Sequence, residues 1–268
     1  MKKSKVKIIL ALGLILFFLV IIVVSSLKRK GEEGSDYKIG ILGDDGLAMV
    51  SVSKGRQMIN YLSLSDEAQV WIPEGMGWYR NQVLKKILLQ ERKINLLKDI
   101  LFYNFGFVAD KVVVLNRTSD WQQKFWWMLF RNDNLIRKTE KMEGDVDKNE
   151  VFLDKIMARD FSETKVVNDD LKLSVINLSE ADGLANFVTK RLERAGFSVI
   201  SVSSNEGEKL DRCKIVYSDG VEKTFSWRIL QSVFNCMGVE DSSLNEGEVE
   251  VYLDENFAEV IKYSNYKK

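Results

Sequence analysis

The chain has 268 residues, in which 39 Lys and Arg balance 39 Asp and Glu, and it contains no histidine. Without imidazole there can be no Ser-His-Asp or Cys-His catalysis and no His-ligated metal site. With 46% hydrophobic and 29% charged residues the composition is that of a globular protein and not a disordered one, long enough for one large domain or two small ones.

From Ile8 to Leu27 the sequence reads IILALGLILFFLVIIVVSSL, without a charged residue. Such a run, rising ~1.5 Å per residue, reaches roughly 30 Å as a helix, the thickness of the hydrocarbon core of a bilayer. It ends in SSLKRK, a poor cleavage site, so an uncleaved anchor is expected at residues 1–30. Lys2, Lys3, Lys5 and Lys7 precede the run, while Lys28, Arg29 and Lys30 follow it. The positive-inside rule then places the N-terminus in the cytoplasm and residues 31–268 outside a cell membrane that the chain crosses once. Setting these seven basic residues aside leaves 32 Lys and Arg against 39 Asp and Glu, or about −7. That body is no candidate for nucleic acid, nor for lying flat on an anionic membrane.

A short polar tether, KRKGEEGSD, follows. YKIGILG and LAMVSVS alternate as half-buried strands do, and SKGR turns the chain into a third, QMINYLS, so a β-meander is predicted. Pro73, the only proline, stands in VWIPEGMGW at a loop or edge position. Helices are predicted near residues 80–91 and 94–105, the second ending at Gly106, and KVVVL is a short buried strand. In DWQQKFWWMLFRNDN, Trp121, Phe125, Met128 and Leu129 share a helical face that Trp126, Trp127 and Phe130 broaden. Such a helix lies either on a membrane surface or, as the simpler alternative, against the meander. The charged residues 131–169 read as a helical connector with solvated faces.

From residue 171 the pattern is regular. LKLSVIN predicts a strand, and residues 183–195 a helix with Leu184, Phe187, Val188 and Leu192 on one face and Gly196 after its end. FSVISVSS, RCKIVYS and GEVEVYL predict three more strands, with a helix from about 221 to 237 stopped by Gly238. The order βαββαβ predicts the split arrangement, two helices over one face of a four-stranded sheet. The fold class is thus α/β in the α+β sense: a transmembrane helix, a β-meander/α domain, a helical connector and this C-terminal domain. Cys213 and Cys236 have neither zinc nor C-x-x-C spacing. They read as two small buried apolar residues, with pairing open to them in an oxidising compartment.

The strand–loop–helix–strand of residues 171–204 has the outline of a nucleotide site. Its loop, NLSEADG, has one glycine, and Glu180 and Asp182 stand where a phosphate would lie and would repel it. The acids suit a helix N-terminus instead, and Asn177 and Asp182 are expected to make local turn and cap hydrogen bonds.

LSVINLSEADGLANFVTKRLERAGFSVISVSS resembles the opening of the LytR C-terminal domain. Asn177, Ser179, Gly183, Leu184, Ala185, Leu192 and Gly196 stand at the matching points, with Leu178 where a glycine is usual. KIVYSDG and VEVYLDENF resemble its later strands, so the likeness covers about 170–258. That domain often follows a LytR–CpsA–Psr (LCP) catalytic domain, and YKIGILGDDGLAMVSVSKGRQMINYLSLSDEAQVWIPEG resembles a shortened one. Asp45 matches an aspartate that the family uses around magnesium, while Ser63, Leu64 and Pro73 match a later motif. Gly43 and Asp66 stand where arginines would be, Ser65 replaces a proline and Glu67 an aspartate.

The LCP family moves a glycopolymer from a polyprenyl-pyrophosphate carrier to the cell wall. Its arginines clamp the pyrophosphate bidentately, and removing one preorganised charge from such a site costs about 3 kcal/mol. The resemblance therefore implies an anchor at 1–30, a degenerate LCP-like domain at 31–117, a connector at 118–169, a LytR C-terminal-like domain at 170–258 and a tail at 259–268. It implies a non-catalytic binding or scaffolding protein of the cell envelope, without a cofactor, whose partners are a wall polymer or envelope proteins. Asn177, Ser179 and Gly183 are its ligand-binding candidates. Two other readings stay open. One is an active phosphotransferase with magnesium at Asp45 and Arg56, Arg80, Lys85 and Lys86 as replacement cations. The other is an acidic, tethered interaction domain that oligomerises through the aromatic segment.

Overall fold

A computed structural model describes residues 36–53, 57–115, 136–205, 210 and 213–261. The expected anchor (Ile8 to Leu27), Arg56 and the aromatic segment around Trp121, Trp126 and Trp127 lie outside the described residues. No helix of the described residues is long and apolar enough to cross a membrane.

The predicted meander is present as β1 (Asp36–Gly43), β2 (Gly46–Ser53) and β3 (Met58–Leu64), antiparallel, with Ile39 opposite Val50 and Val50 opposite Tyr61. A hairpin of β4 (Gln69–Ile72) and β5 (Gly77–Arg80) follows with Pro73 in its turn, then α1 (Asn81–Gln90) and α2 (Leu97–Phe105). β6 (Lys111–Val114) and β7 (Ile136–Met142) run parallel to β1 and β3 and close a five-stranded sheet of order β6-β1-β2-β3-β7. β6 is an edge strand, half-buried rather than buried. β7 corrects the expected connector: IRKTEKM is a strand at the other edge, and its lysines leave no apolar alternation to read. Charged residues on an edge discourage pairing with another chain. Helix begins later, in α3 (Glu150–Ile156), a widened turn at Met157–Phe161 and α4 (Thr164–Asp169).

Both faces of this sheet are buried. Leu42, Leu47, Met49, Leu62 and Leu64 pack with Leu84, Leu97, Ile100 and Phe105 of the helices. Ile39, Ile41, Ala48, Val50, Val52 and Ile59 form a second cluster, to which no helix of the described residues contributes.

The second sheet also has five strands, not the expected four. β8 (Lys172–Asn177), α5 (Leu184–Ala195) and β9 (Ser198–Ser204) form a βαβ unit whose strands are parallel neighbours, so the arrangement is not split. Next come β10 (Lys214–Tyr217), α6 (Phe225–Phe234), β11 (Met237–Glu240), β12 (Glu248–Leu253) and α7 (Glu255–Ile261), with sheet order β11-β10-β12-β8-β9. α6 ends at Phe234 because Asn235 takes the left-handed conformation that was expected nearer Gly238. Gly238 instead lies in β11, against the indole of Trp227. α7 crosses the expected boundary between domain and tail.

The cysteines are not a separate buried pair. Cys213 and Cys236 form a disulfide that joins the starts of the parallel strands β10 and β11. Closing a loop of 23 residues removes about 3 kcal/mol of chain entropy from the unfolded state.

The two sheets meet across α2. A nine-residue helix is marginal alone, and α2 is fixed by burial on both sides. Ile100, Leu101 and Phe105 belong to the first core and Phe102 and Tyr103 to the second. Tyr103 stacks on Phe187 at 6.3 Å, Phe102 meets Phe234 edge-on at 6.0 Å, and Trp71 meets both Tyr103 and Phe187. Asn104, fully buried, accepts from Trp71 N–H (3.0 Å) and donates to the carbonyls of Trp71 (2.7 Å) and Ile100 (2.8 Å). Gly106 has φ +69°, and a side chain there would strike the carbonyl of Arg191. The described residues form one compact unit.

Candidate functional site

Some of the residues on which the LCP resemblance rests come together at one end of the first sheet; Pro73 does not, and Arg56 lies outside the described residues. Asn81, at the start of α1, accepts from Leu47 N–H (2.7 Å) and donates to the carbonyls of Leu64 (3.2 Å) and Asp45 (3.3 Å). Gly46, at φ +92°, leaves no room for a Cβ beside that carboxamide. The β1–β2 turn, the end of β3 and the start of α1 are thereby held at one end of the sheet, with Gly43, Asp45 and Asp66 among them.

What they present is acidic. Asp44, Asp45, Asp66 and Glu67 are all exposed there. Two of the replacement cations have partners: Lys85 bonds Asp44 (2.7 Å) and the Leu115 carbonyl, and Arg80 makes a solvent-exposed pair with Glu67 at 3.0 Å. Lys86 is exposed. The Tyr61 hydroxyl is pushed up by burial and then by the Asp45 charge. Among the described residues no group of three or more Cys, Asp or Glu could hold a metal ion. Asp45 is an exposed oxygen donor of the kind a magnesium ion would take, with water and phosphate oxygens filling its other positions.

The loop after β8 is self-satisfied. Asn177, almost fully buried, accepts from Ser179 N–H (3.0 Å) and Oγ (2.7 Å) and donates to the Ala181 carbonyl (3.0 Å). Ser179 Oγ accepts in turn from Ala181 N–H. α5 is entered through Gly183 at φ +80° without a side-chain cap, so Asp182 does not cap it as the sequence suggested.

A concavity lies elsewhere, between the two sheets. It measures ≈ 340 Å³ and is bounded by Pro73, Glu74, Asp99 and Tyr103 on one side and by Cys213, Phe234, Asp254, Phe257 and Ile261 on the other. Cavities of this size can hold a small ligand. Burial, the Glu74 carboxylate and, in opposition, Lys98 leave Asp99 with a pKa of about 6.

The cleft walls are held by two arginines of α5. Arg191 donates to the Tyr103 carbonyl (2.9 Å) and to Glu150 (3.1 Å). Arg194 donates to the Asn104 carbonyl (3.1 Å) and to Asp154 (2.7 Å), and also bonds Glu150. Both guanidiniums are almost wholly buried, and they cap the carbonyls at the C-terminal end of α2, where cations are favoured.

Comparison with known families matches residues 170–257 to the family described as "LytR cell envelope-related transcriptional attenuator", LytR_C. The match covers the C-terminal third of the chain, the segment of the second sheet. No curated protein matches the chain. Similar solved structures include a LytR-CPS2A-psr family protein, YwtF (TagT), with bound octaprenyl pyrophosphate lipid. It is 15% identical over 75% of this chain and 88% of that chain, with a TM-score of 0.25. TagT of B. subtilis is 13% identical over 77% and 93%, with a TM-score of 0.26. Scores this low do not establish a shared fold.

The LytR_C domain supplies Asp254, Phe257 and the disulfide to the cleft, none of which the sequence singled out as functional. Two signals were there to find: Asp99 as a lone carboxylate inside the apolar run INLLKDILFYNF, and Asp254 between the last strand and ENF.

Proposed function

We propose that this chain is a single-pass, membrane-anchored protein of the cell envelope whose extracytoplasmic body binds or scaffolds a wall polymer or envelope partner without catalysing transfer. The LytR_C domain supports the cell-envelope role. The disulfide supports an oxidising, extracytoplasmic location. The observation that carries the non-catalytic half is the ion pairing at the end of the first sheet. Where the resemblance places the pyrophosphate-clamping arginines of an LCP enzyme stand Gly43 and Asp66, and the nearby Lys85 and Arg80 face the carboxylates of Asp44 and Glu67.

The alternative, an LCP-type phosphotransferase using magnesium, is tested by turnover. Full-length protein in detergent micelles, given a polyprenyl-pyrophosphate-linked glycan and a wall acceptor with magnesium, is expected to transfer nothing above a boiled control. Magnesium-dependent transfer abolished by Asp45→Asn would establish the alternative.

A further inference from the structure

One face of the first sheet is buried although no helix of the described residues contributes to it. Ile39 (3% exposed), Val50 (4%) and Ile59 (7%) lie there with Ile41, Ala48 and Val52. The cluster and the half-buried residues at its margin, Tyr37, Tyr61, Val113 and Leu115, all come from the strands or the residue that follows β6. A sheet does not bury a face by itself, so another layer covers this one.

The path of the chain identifies the layer. β6 and β7, which flank residues 116–135, are the two edges of the sheet. β6 is parallel to β1 and β7 to β3, while β1 and β3 are each antiparallel to β2, so β6 and β7 run the same way. Residues 116–135 therefore make a crossover between parallel strands, over four strand spacings or roughly 19 Å. Twenty residues span about 30 Å even as a helix. Such crossovers are right-handed in nearly all cases. The chain has already made one, from β3 to β6, and α1 and α2 carry it over the face of Leu42, Met49 and Leu62. The return from β6 to β7 crosses in the opposite direction. With the same hand it must use the opposite face, that of Ile39, Val50 and Ile59. The exit agrees. Leu115 N–H continues the ladder to the Leu42 carbonyl (2.8 Å), and its side chain packs on this cluster.

We propose that this face is the docking surface of residues 116–135, which cross it as an amphipathic helix with Trp121, Phe125, Met128 and Leu129 turned to the sheet. From Trp121 to Phe130 seven of ten residues are apolar, between the polar ends NRTSD and RNDN, so the segment carries the apolar surface the face needs. The other candidates do not fit. Residues 54–56 are too few to cover a sheet, 206–209 and 262–268 are mostly polar, and 1–30 are the expected anchor. The assignment takes the aromatic segment away from a membrane surface and from a contact between copies. It goes beyond the binding reading above and does not rest on it.

The test is proximity in the full-length protein in detergent micelles, where the only two cysteines are already joined. Val50→Cys puts a thiol on this face, and Met49→Cys puts one on the face under α1 and α2. Each is combined with single cysteines at residues 121–130, and the disulfides formed on mild oxidation are mapped by mass spectrometry. Val50→Cys is expected to cross-link within one chain at positions three or four apart, and Met49→Cys at none. No cross-link from Val50→Cys, or the same pattern from Met49→Cys, would overturn the proposal. Cross-links only between differently tagged copies would overturn it too, in favour of an interface between copies. The unaltered protein in vesicles of brominated phosphatidylcholine gives a second reading that needs no substitution. Three of the six tryptophans are Trp121, Trp126 and Trp127. Docking predicts the same emission as in unbrominated vesicles, whereas a helix lying in the membrane interface would lose about half of it and sink the proposal.

Discussion

Asp99 is a carboxylate that folding holds protonated up to about pH 6, whereas the unfolded chain releases that proton near pH 4. The folded state therefore binds more protons across this window, and stability falls as the pH rises through it. Asp99→Asn is expected to flatten that slope and to raise stability at pH 7 by about 1 kcal/mol, a figure reduced because the group is partly in water. Urea denaturation at pH 4, 5, 6 and 7 measures it, and an unchanged slope would contradict the assignment. Other single residues were only half legible. The turn chemistry of Asn177 followed from its sequence neighbours, because its partners Ser179 and Ala181 are two and four residues away. Asn81 and Asn104 were not legible, because apart from the Ile100 carbonyl, four residues from Asn104, the backbone groups they satisfy lie 17 to 36 residues distant.

At the scale of elements, what could be read was what carries a periodic apolar face. β1 to β3, α2 and α5 all bury such faces and were found in place. Of the strands that were missed, β7 and β11 sit at sheet edges, where exposure removes the alternation that marks a strand, and β4 and β5 are four-residue strands of a hairpin around Pro73, too short to show it. Topology was illegible for a related reason. Whether β8 and β9 are neighbours depends on β12, which pairs with β8 from 76 residues away in sequence (Glu248 with Lys172). The helix α5 is bound to the rest by Arg191 and Arg194, and removing their shared partner leaves two buried guanidiniums short of a counter-ion. Glu150→Ala is expected to cost about 3 kcal/mol, seen as a lower denaturation midpoint. A change under about 0.5 kcal/mol would show that Asp154 and the α2 carbonyls suffice.

At the scale of the whole molecule, the sequence suggested two domains on a helical connector, and in the described residues the two sheets pack into one compact unit through aromatic contacts across α2. No local pattern announces such a seam, since Trp71, Tyr103 and Phe187 each read as ordinary core. The seam builds a cleft from both halves, while the end of the first sheet presents exposed acids, two of them paired with Lys85 and Arg80. The most direct test of this account is calorimetric titration of the full-length protein with a polyprenyl pyrophosphate, with and without magnesium. The account predicts no saturable binding under either condition; tight, magnesium-dependent binding weakened by Asp45→Asn would contradict it and make the chain a phosphotransferase.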